Sequence, residues 1–312
     1  MKISFIATVL NEEKTIDALL NSLAKQTKKP EEIIIVDGGS TDQTVAKIKA
    51  FQKKHPELKI KVFVKKGANR SQGRNLAIKK AQNEVIAISD AGGELDRQWL
   101  EKISQPFGDP SVEVVAGYFK GKGKNVFEEC VATFALTVPH RVDPKNFLPT
   151  SRSMAIRQKT WQKFGGFPEE FSDNEDFVFS TRLKKEGAKI VFVPEAVFYW
   201  YPRENLQIFA KMIFRFARGD AFAGLRYPKV ATVFSRCLLA FVLICLLPFY
   251  PFLTPLTIML AVAYLLWPIF KNYRYVKKWP AFFFLPLLQI TTDLVIMAGS
   301  LAGRKQKLVK RV

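Results

Sequence analysis

From Cys237 to Phe270 the chain runs 34 residues without a charged side chain. No feature restricts the fold more. A helix needs about 20 apolar residues to cross roughly 30 Å of hydrocarbon, so this run and its approach from Val233 hold enough for two crossings. Pro248, Pro251 and Pro255 cluster at its middle, where a hairpin turns. Spans are therefore expected near residues 233–247 and 255–270. The next stretch, Lys271-Asn272-Tyr273-Arg274-Tyr275-Val276-Lys277-Lys278-Trp279, is basic and aromatic, the pattern of a cytoplasmic loop at the headgroup level. A third apolar segment covers residues 281–301 and contains one charge, Asp293. As a span it places Asp293 near mid-membrane, costing about 2.5–3.5 kcal/mol on insertion scales. It also sends the basic tail Arg304–Arg311 outward, against the positive-inside rule. A re-entrant or interfacial helix avoids both, and the sequence leaves the two readings open.

Charge divides the chain at the same place. The net charge is +20, and the last 84 residues carry half of it, with 11 basic side chains and one acidic. Residues 1–228 are thus expected to form a soluble domain and residues 229–312 a membrane-associated helical module. Nucleic acid is excluded as a partner, because much of the excess flanks the apolar segments. The lysines of residues 47–80 are interleaved only with Phe51 and Phe63, too few for base stacking. Cys130, Cys237 and Cys245 are odd in number and far apart, which argues against a disulfide framework. The N-terminal apolar run stops at Asn11-Glu12-Glu13 without a small-residue cleavage site, so it reads as a buried strand rather than a signal peptide. The soluble part is expected in the cytosol.

Within residues 1–228 strands and helices alternate. Ile3–Leu10, Glu32–Val36, Ile60–Val64 and Val85–Ser89 read as strands. Thr15–Lys25, Thr41–Lys54 and Ser71–Ala81 read as helices, the second capped by Ser40 or Thr41. This is the pattern of βαβ units in a parallel sheet, whose ligands bind beyond the C-terminal strand ends. Three such ends are acidic: Asn11-Glu12-Glu13, Asp37-Gly38-Gly39-Ser40-Thr41-Asp42 and Asp90-Ala91-Gly92-Gly93-Glu94. A single one could be a tight turn with an Asp cap; three on one sheet edge point to a polar ligand.

These residues carry a resemblance. Thr8-Val9-Leu10-Asn11-Glu12-Glu13 followed by Val36-Asp37-Gly38-Gly39-Ser40-Thr41-Asp42 resembles the opening of inverting glycosyltransferases of family two. Gly67 to Asn75, ending in Arg74-Asn75, is similar to the family's segment after the third strand. Asp90-Ala91-Gly92 with Trp99-Leu100 stands at its D-x-D. Gly165-Gly166-Phe167-Pro168-Glu169 and Glu175-Asp176 with Arg182-Leu183 are similar to its later blocks. The resemblance covers roughly residues 3–220. It implies an α/β chain with a GT-A nucleotide-sugar-binding domain, built on a mostly parallel central sheet and followed by an α-helical membrane module. It also implies transfer from a nucleoside diphosphate-sugar donor to a lipid-linked or glycan acceptor at the cell membrane, with the catalytic domain cytoplasmic.

By the same resemblance Thr8, Glu12, Asp37, Arg74 and Asp90 hold the nucleotide-sugar. Asp176, paired with Glu175, is the catalytic base. Ser153, Arg215 and Arg218 lie on the diphosphate or acceptor side. A divalent metal, Mg²⁺ or Mn²⁺, is implied at Asp90. The second acid of the D-x-D is absent: Gly92 stands there, leaving Glu94, Asp96 or waters to complete the shell. That gap also admits a non-catalytic relative that binds nucleotide-sugar without transferring it. Other roles compete at single positions. Glu12 and Glu13 suit the start of the first helix, Asp173 suits the N-cap before Glu175, and Arg215 and Arg218 suit contact with anionic lipid.

Overall fold

The computed structural model of the protein describes residues 1–225 and 227–309, so Lys310 and Arg311 of the expected basic tail lie outside the described residues. Packing gathers the chain into two compact units, Met1–Gly121 with Pro139–Tyr201 and Lys122–Val138 with Pro202–Val312.

The first unit is built on one sheet. Strands β1 (Ile3–Val9), β2 (Glu32–Asp37), β3 (Ile60–Val64) and β4 (Val85–Ile88) run parallel in the order β3-β2-β1-β4. All six residues of β2 are buried, as expected of a strand covered on both faces. The crossovers are α1 (Ile16–Ala24), α2 (Thr44–Lys54) and α3 (Arg70–Lys80). Ile16, Leu19, Leu20 and Leu23 form the buried stripe of α1. The register sets Val9 beside Asp37 and Asp37 beside Val64, so the first three strands end level. Their following loops therefore share one edge.

Beyond β4 the sheet becomes mixed. After β5 (Gly93–Leu95) and α4 (Trp99–Ser104) comes β6 (Val114–Gly121). In the other segment lie β7 (Met154–Arg157), α6 (Gln158–Lys163), α7 (Glu175–Lys185) and β8 (Ile190–Trp200). Here β7 pairs antiparallel with both β4 and β6, while β8 runs parallel to β6 and antiparallel to β5. The full order is β3-β2-β1-β4-β7-β6-β8-β5. Ile6, Ile34, Ile86, Ile156, Phe167 and Phe179 belong to the apolar core of this sheet. The expected helix from Thr41 begins instead at Thr44, with Gln43 in the cap position and no side-chain cap. Asp42 has already taken the Thr44 N–H at 3.0 Å, and the loop before it is folded around Asp37.

The second unit contains α5 (Val126–Ala135), between the two sheet segments in sequence, and α8 (Leu206–Ala223), α9 (Tyr227–Leu246), α10 (Thr254–Val276) and α11 (Ala281–Val309). The expected division at residue 228 follows charge and hydropathy; α5 and α8 precede it and pack with the apolar helices that follow it. Stretches in α9, α10 and α11 are long and apolar enough to cross a membrane, and each helix outruns the segment expected for it. The turn at Pro248 and Pro251 lies where the prolines placed it. Most apolar side chains of α9 and α10 are exposed, among them Phe241, Ile258 and Phe270. The third segment is one continuous helix of 29 residues, about 43 Å at 1.5 Å per residue. Its Asp293 is buried and compensated. Arg236 of α9 donates to it at 2.5 Å, Tyr264 of α10 at 2.7 Å and Gln289 at 2.9 Å. Gly299 and Gly303 face α8 so closely that a Cβ at either would lie 2.6 Å from the Phe214 carbonyl oxygen or 2.3 Å from that of Arg218. This small-xxx-small spacing lets two backbones touch.

Candidate active site

The first two strand-end loops clasp each other. The Asn11 N–H donates to Ser40 Oγ at 2.8 Å, and Asn11 Oδ1 accepts from Thr41 N–H at 2.9 Å. Asn11 itself takes a left-handed backbone, φ 54°. Asp37 is fully buried and holds its own loop: it accepts from the N–H groups of Gly39 and Ser40 at 2.8 Å and from the Ser40 hydroxyl at 2.5 Å. Gly39, at φ 103°, makes that turn possible. Glu12 Oε2 accepts from the Thr15 hydroxyl at 2.6 Å, and its backbone N–H donates to Thr44 Oγ1. Thr8 lies near the end of β1, under α3: a Cβ on Gly73 would come within 2.8 Å of its methyl group. Thr8, Glu12 and Asp37 thus sit together at the level ends of β1 and β2, with both carboxylates bonded to their own loops.

Gly73 brings α3 down onto the sheet and Arg74 into its interior. The helix starts with a reciprocal Asn69–Gln72 capping box. Arg74 is 2% exposed and lies between two carboxylates. Its Nη2 donates to Asp90 Oδ1 at 2.9 Å, its Nη1 donates to Glu175, and its guanidinium stands over the Phe167 ring at 5.5 Å. Burial alone would lower the Arg74 pKa, but the charges of Glu175, Asp90 and Asp176 more than offset it and raise it above the ordinary value. Burial would raise the Asp90 carboxyl; the guanidiniums of Arg74, Arg152 and Arg70 outweigh it and hold Asp90 below the usual range. Glu175 is the reverse. Burial pushes it up and the neighbouring Asp176 adds to that, against the pull of Arg74.

The residue before α7, Asn174, has φ 58° and no side-chain cap bond. The expected cap, Asp173, is buried and turned to Arg70 instead, 3.5 Å away. Successive side chains on a helix point about 100° apart. Glu175 therefore enters the interior toward Arg74 while Asp176 stays half-buried at the rim. Asp176 Oδ2 accepts from the backbone N–H and hydroxyl of Ser151, both at 3.1 Å, and Oδ1 accepts from the Phe177 N–H at 2.8 Å. Ser153, two residues along, is fully buried; its hydroxyl accepts from Trp99 Nε1 at 2.7 Å and donates to the Ala196 carbonyl at 2.9 Å. Ser151 and Arg152, expected with Ser153 on the acceptor side, are the members of that segment near the acids. The β4–β7 register reveals them: Ile88 faces Met154, so positions 90 and 152 come level two residues on.

Beyond Asp90 the candidate metal residues are engaged elsewhere. Glu94 accepts from the Tyr201 hydroxyl at 2.7 Å, and Asp96 Oδ1 accepts from the Gln98 N–H at 3.0 Å. Among the described residues no group of three or more His, Cys, Asp or Glu side chains could hold a metal ion. Arg215 and Arg218 stand on α8, in the second unit.

The profile of glycosyl transferase family 2 matches residues 4–167. Among curated proteins the chain is 28% identical over 206 residues to the poly(ribitol-phosphate) beta-N-acetylglucosaminyltransferase TarS of Staphylococcus aureus, covering 64% of this chain and 35% of that protein. The chain thus spans about a third of the length of that relative. It is 26% identical to the dolichyl N-acetyl-alpha-D-glucosaminyl phosphate 3-beta-D-2,3-diacetamido-2,3-dideoxy-beta-D-glucuronosyltransferase of Methanococcus voltae, over 67% of this chain and 70% of the other. The mannosyltransferase PcManGT of Pyrobaculum calidifontis, solved with GDP-Man and Mn²⁺, shares the fold at 19% identity and a TM-score of 0.60, over 100% of this chain and 88% of that one.

Proposed function

The chain belongs to glycosyl transferase family 2, and from that premise we propose that it is a membrane-attached, inverting glycosyltransferase. It moves a sugar from a nucleoside diphosphate-sugar, UDP- or GDP-linked, to a lipid-linked or saccharide acceptor. The observation that carries this reading is the convergence of Asp90, Glu175 and Asp176 around Arg74, beyond the strand ends. Thr8, Glu12 and Asp37 shape the loops that receive the nucleotide. Asp176 is the base. Its carboxylate is aimed by Ser151 and left at the rim, where it takes the proton of the acceptor hydroxyl as that oxygen attacks C1 from the face opposite the diphosphate. Glu175 and Arg74 position it: a buried ion pair fixes the start of α7, and with it the direction of Asp176.

Among the described residues no cluster of three ligating side chains could hold a metal ion by itself. A divalent ion carried mainly by the donor's phosphates needs few protein carboxylates, and Asp90, a third exposed with one oxygen on Arg74, suits that share. Such an ion would supply charge neutralisation to the departing diphosphate. PcManGT was solved with Mn²⁺, in keeping with this. The lipid-linked acceptor is supported by the dolichyl phosphate in the name of the M. voltae relative and by the apolar helices α9–α11. The basic segment Lys271–Trp279 supports a cytoplasmic catalytic domain.

The test uses the detergent-solubilised full chain. UDP- and GDP-sugars, each with and without Mg²⁺ or Mn²⁺, are expected to raise its melting temperature in one nucleotide series, and that donor is expected to yield free nucleoside diphosphate with a polyprenyl-phosphate acceptor. No thermal shift with any donor overturns the reading. A shift without turnover on any acceptor assigns the chain to the non-catalytic relatives that Gly92 suggests.

A further inference from the structure

We propose that Arg152 binds the diphosphate of the donor and takes over part of the charge neutralisation for which Gly92 supplies no carboxylate. The inference rests on the nucleotide-sugar reading of the site. Arg152 is half-buried at the end of β7, and its backbone carbonyl accepts from the Ser89 hydroxyl at 2.9 Å, which fixes it beside Asp90. Its guanidinium lies over two rings, 5.4 Å from the centre of Phe119 and 5.9 Å from that of Trp200. Those rings hold the fork in place without occupying its donors. Among the described residues that guanidinium forms no hydrogen bond and no ion pair, whereas the Arg74 fork is engaged by Asp90 and Glu175. An arginine beside a carboxylate, fixed by aromatic faces and with its N–H groups unused, is preorganised to grip a multiply charged phosphate with its planar fork.

Position 92 closes the argument. A Cβ there would meet only the Trp200 ring, at 4.0 Å. Gly92 and Arg152 therefore share Trp200 as a common neighbour. Where a second acid would help chelate a metal, this chain has an open position next to a free guanidinium. The diphosphate is then held by a cation of the protein together with whatever ion Asp90 shares.

The experiment measures affinity of the full chain, Arg152→Gln and Arg152→Lys for UDP, GDP and the bare nucleosides uridine and guanosine, each with Mn²⁺ and with EDTA. Arg152→Gln is expected to lose about ten- to a hundredfold in affinity for the bound diphosphate, the range for a charge-assisted hydrogen bond. Its affinity for the matching nucleoside is expected to stay within about twofold, because the base and ribose lie outside the reach of the fork. Arg152→Lys, a charge without the fork, is expected to fall between. EDTA is expected to weaken Arg152→Gln more than the parent. If the parent binds a nucleoside diphosphate and Arg152→Gln binds it equally, the inference is overturned and the proposed function stands. If the parent binds neither diphosphate, the function reading falls, and the inference with it.

Discussion

At the residue scale, the proposed reaction gives two adjacent acids different work, Glu175 positioning and Asp176 accepting the proton. Glu175 is 3% exposed and paired with Arg74; Asp176, one residue on, is half-buried and accepts from Ser151 and from its own helix. In the proposed reaction the base meets an acceptor hydroxyl, and of the two acids Asp176 is the one with surface to offer it. Asp176→Asn keeps the shape and the acceptor oxygen for Ser151 but removes the proton site. Transfer is expected to fall by two or more decades, with donor affinity within about threefold of the parent since no donor contact is removed. Steady-state rates with titrated donor check this, and a normal rate in Asp176→Asn withdraws the assignment. The pairing of Arg74 was not visible in the sequence. Arg74-Asn75 was legible as a motif, yet its partners lie 16 and 101 positions away.

At the element scale, the alternation of β-branched runs and amphipathic stripes was sufficient for β1 to β4 and their crossovers, because each element's own residues decide its period. The strands after β4 were harder. Their pairing partners β5, β6, β7 and β8 are short or far apart in sequence, and the local pattern carries no direction. A second signal was present and unused: Gly299 and Gly303 are four apart on α11. Their contact with the α8 backbone leaves no room for a side chain. Gly303→Val is expected to force the two helices apart, at roughly 1–3 kcal/mol for overpacking, and to lower the melting temperature of the solubilised chain by several degrees. Gly108→Ala, where nothing lies within 4 Å of the new Cβ, is expected to leave it unchanged. Equal melting temperatures for both variants would rule out the close approach of α8 and α11.

At the scale of the whole molecule, α9, α10 and α11 leave a large apolar surface for which water is a poor solvent. The full chain is expected to stay in the pellet when membranes are washed with alkaline carbonate and to leave it only with detergent. A chain cut after Leu225 is expected in the supernatant or as aggregate, since α8 then loses α11 and bares the face around Ala217 and Ala221 on which it packs. Carbonate release of the full chain would refute membrane integration. The charge in the third apolar helix fits this picture: Asp293 meets Arg236, Tyr264 and Gln289, so the isolated-charge penalty that favoured a re-entrant helix does not apply.

The sequence by itself determined what depends on composition and local period: an apolar C-terminal third, alternating strands and helices before it, and acids and glycines at the strand ends. Each follows from neighbours a few residues apart. Only the tertiary structure decided which side chains share the site. Asp90, Arg74, Glu175 and Ser151 come from four separate segments, and they meet because the parallel strands end level and β7 enters antiparallel beside β4. The same long-range packing buries Ser153, sets Arg152 over two rings, and neutralises Asp293 with a side chain 57 residues away. Distances between remote residues are properties of the folded chain, and no window of sequence contains them.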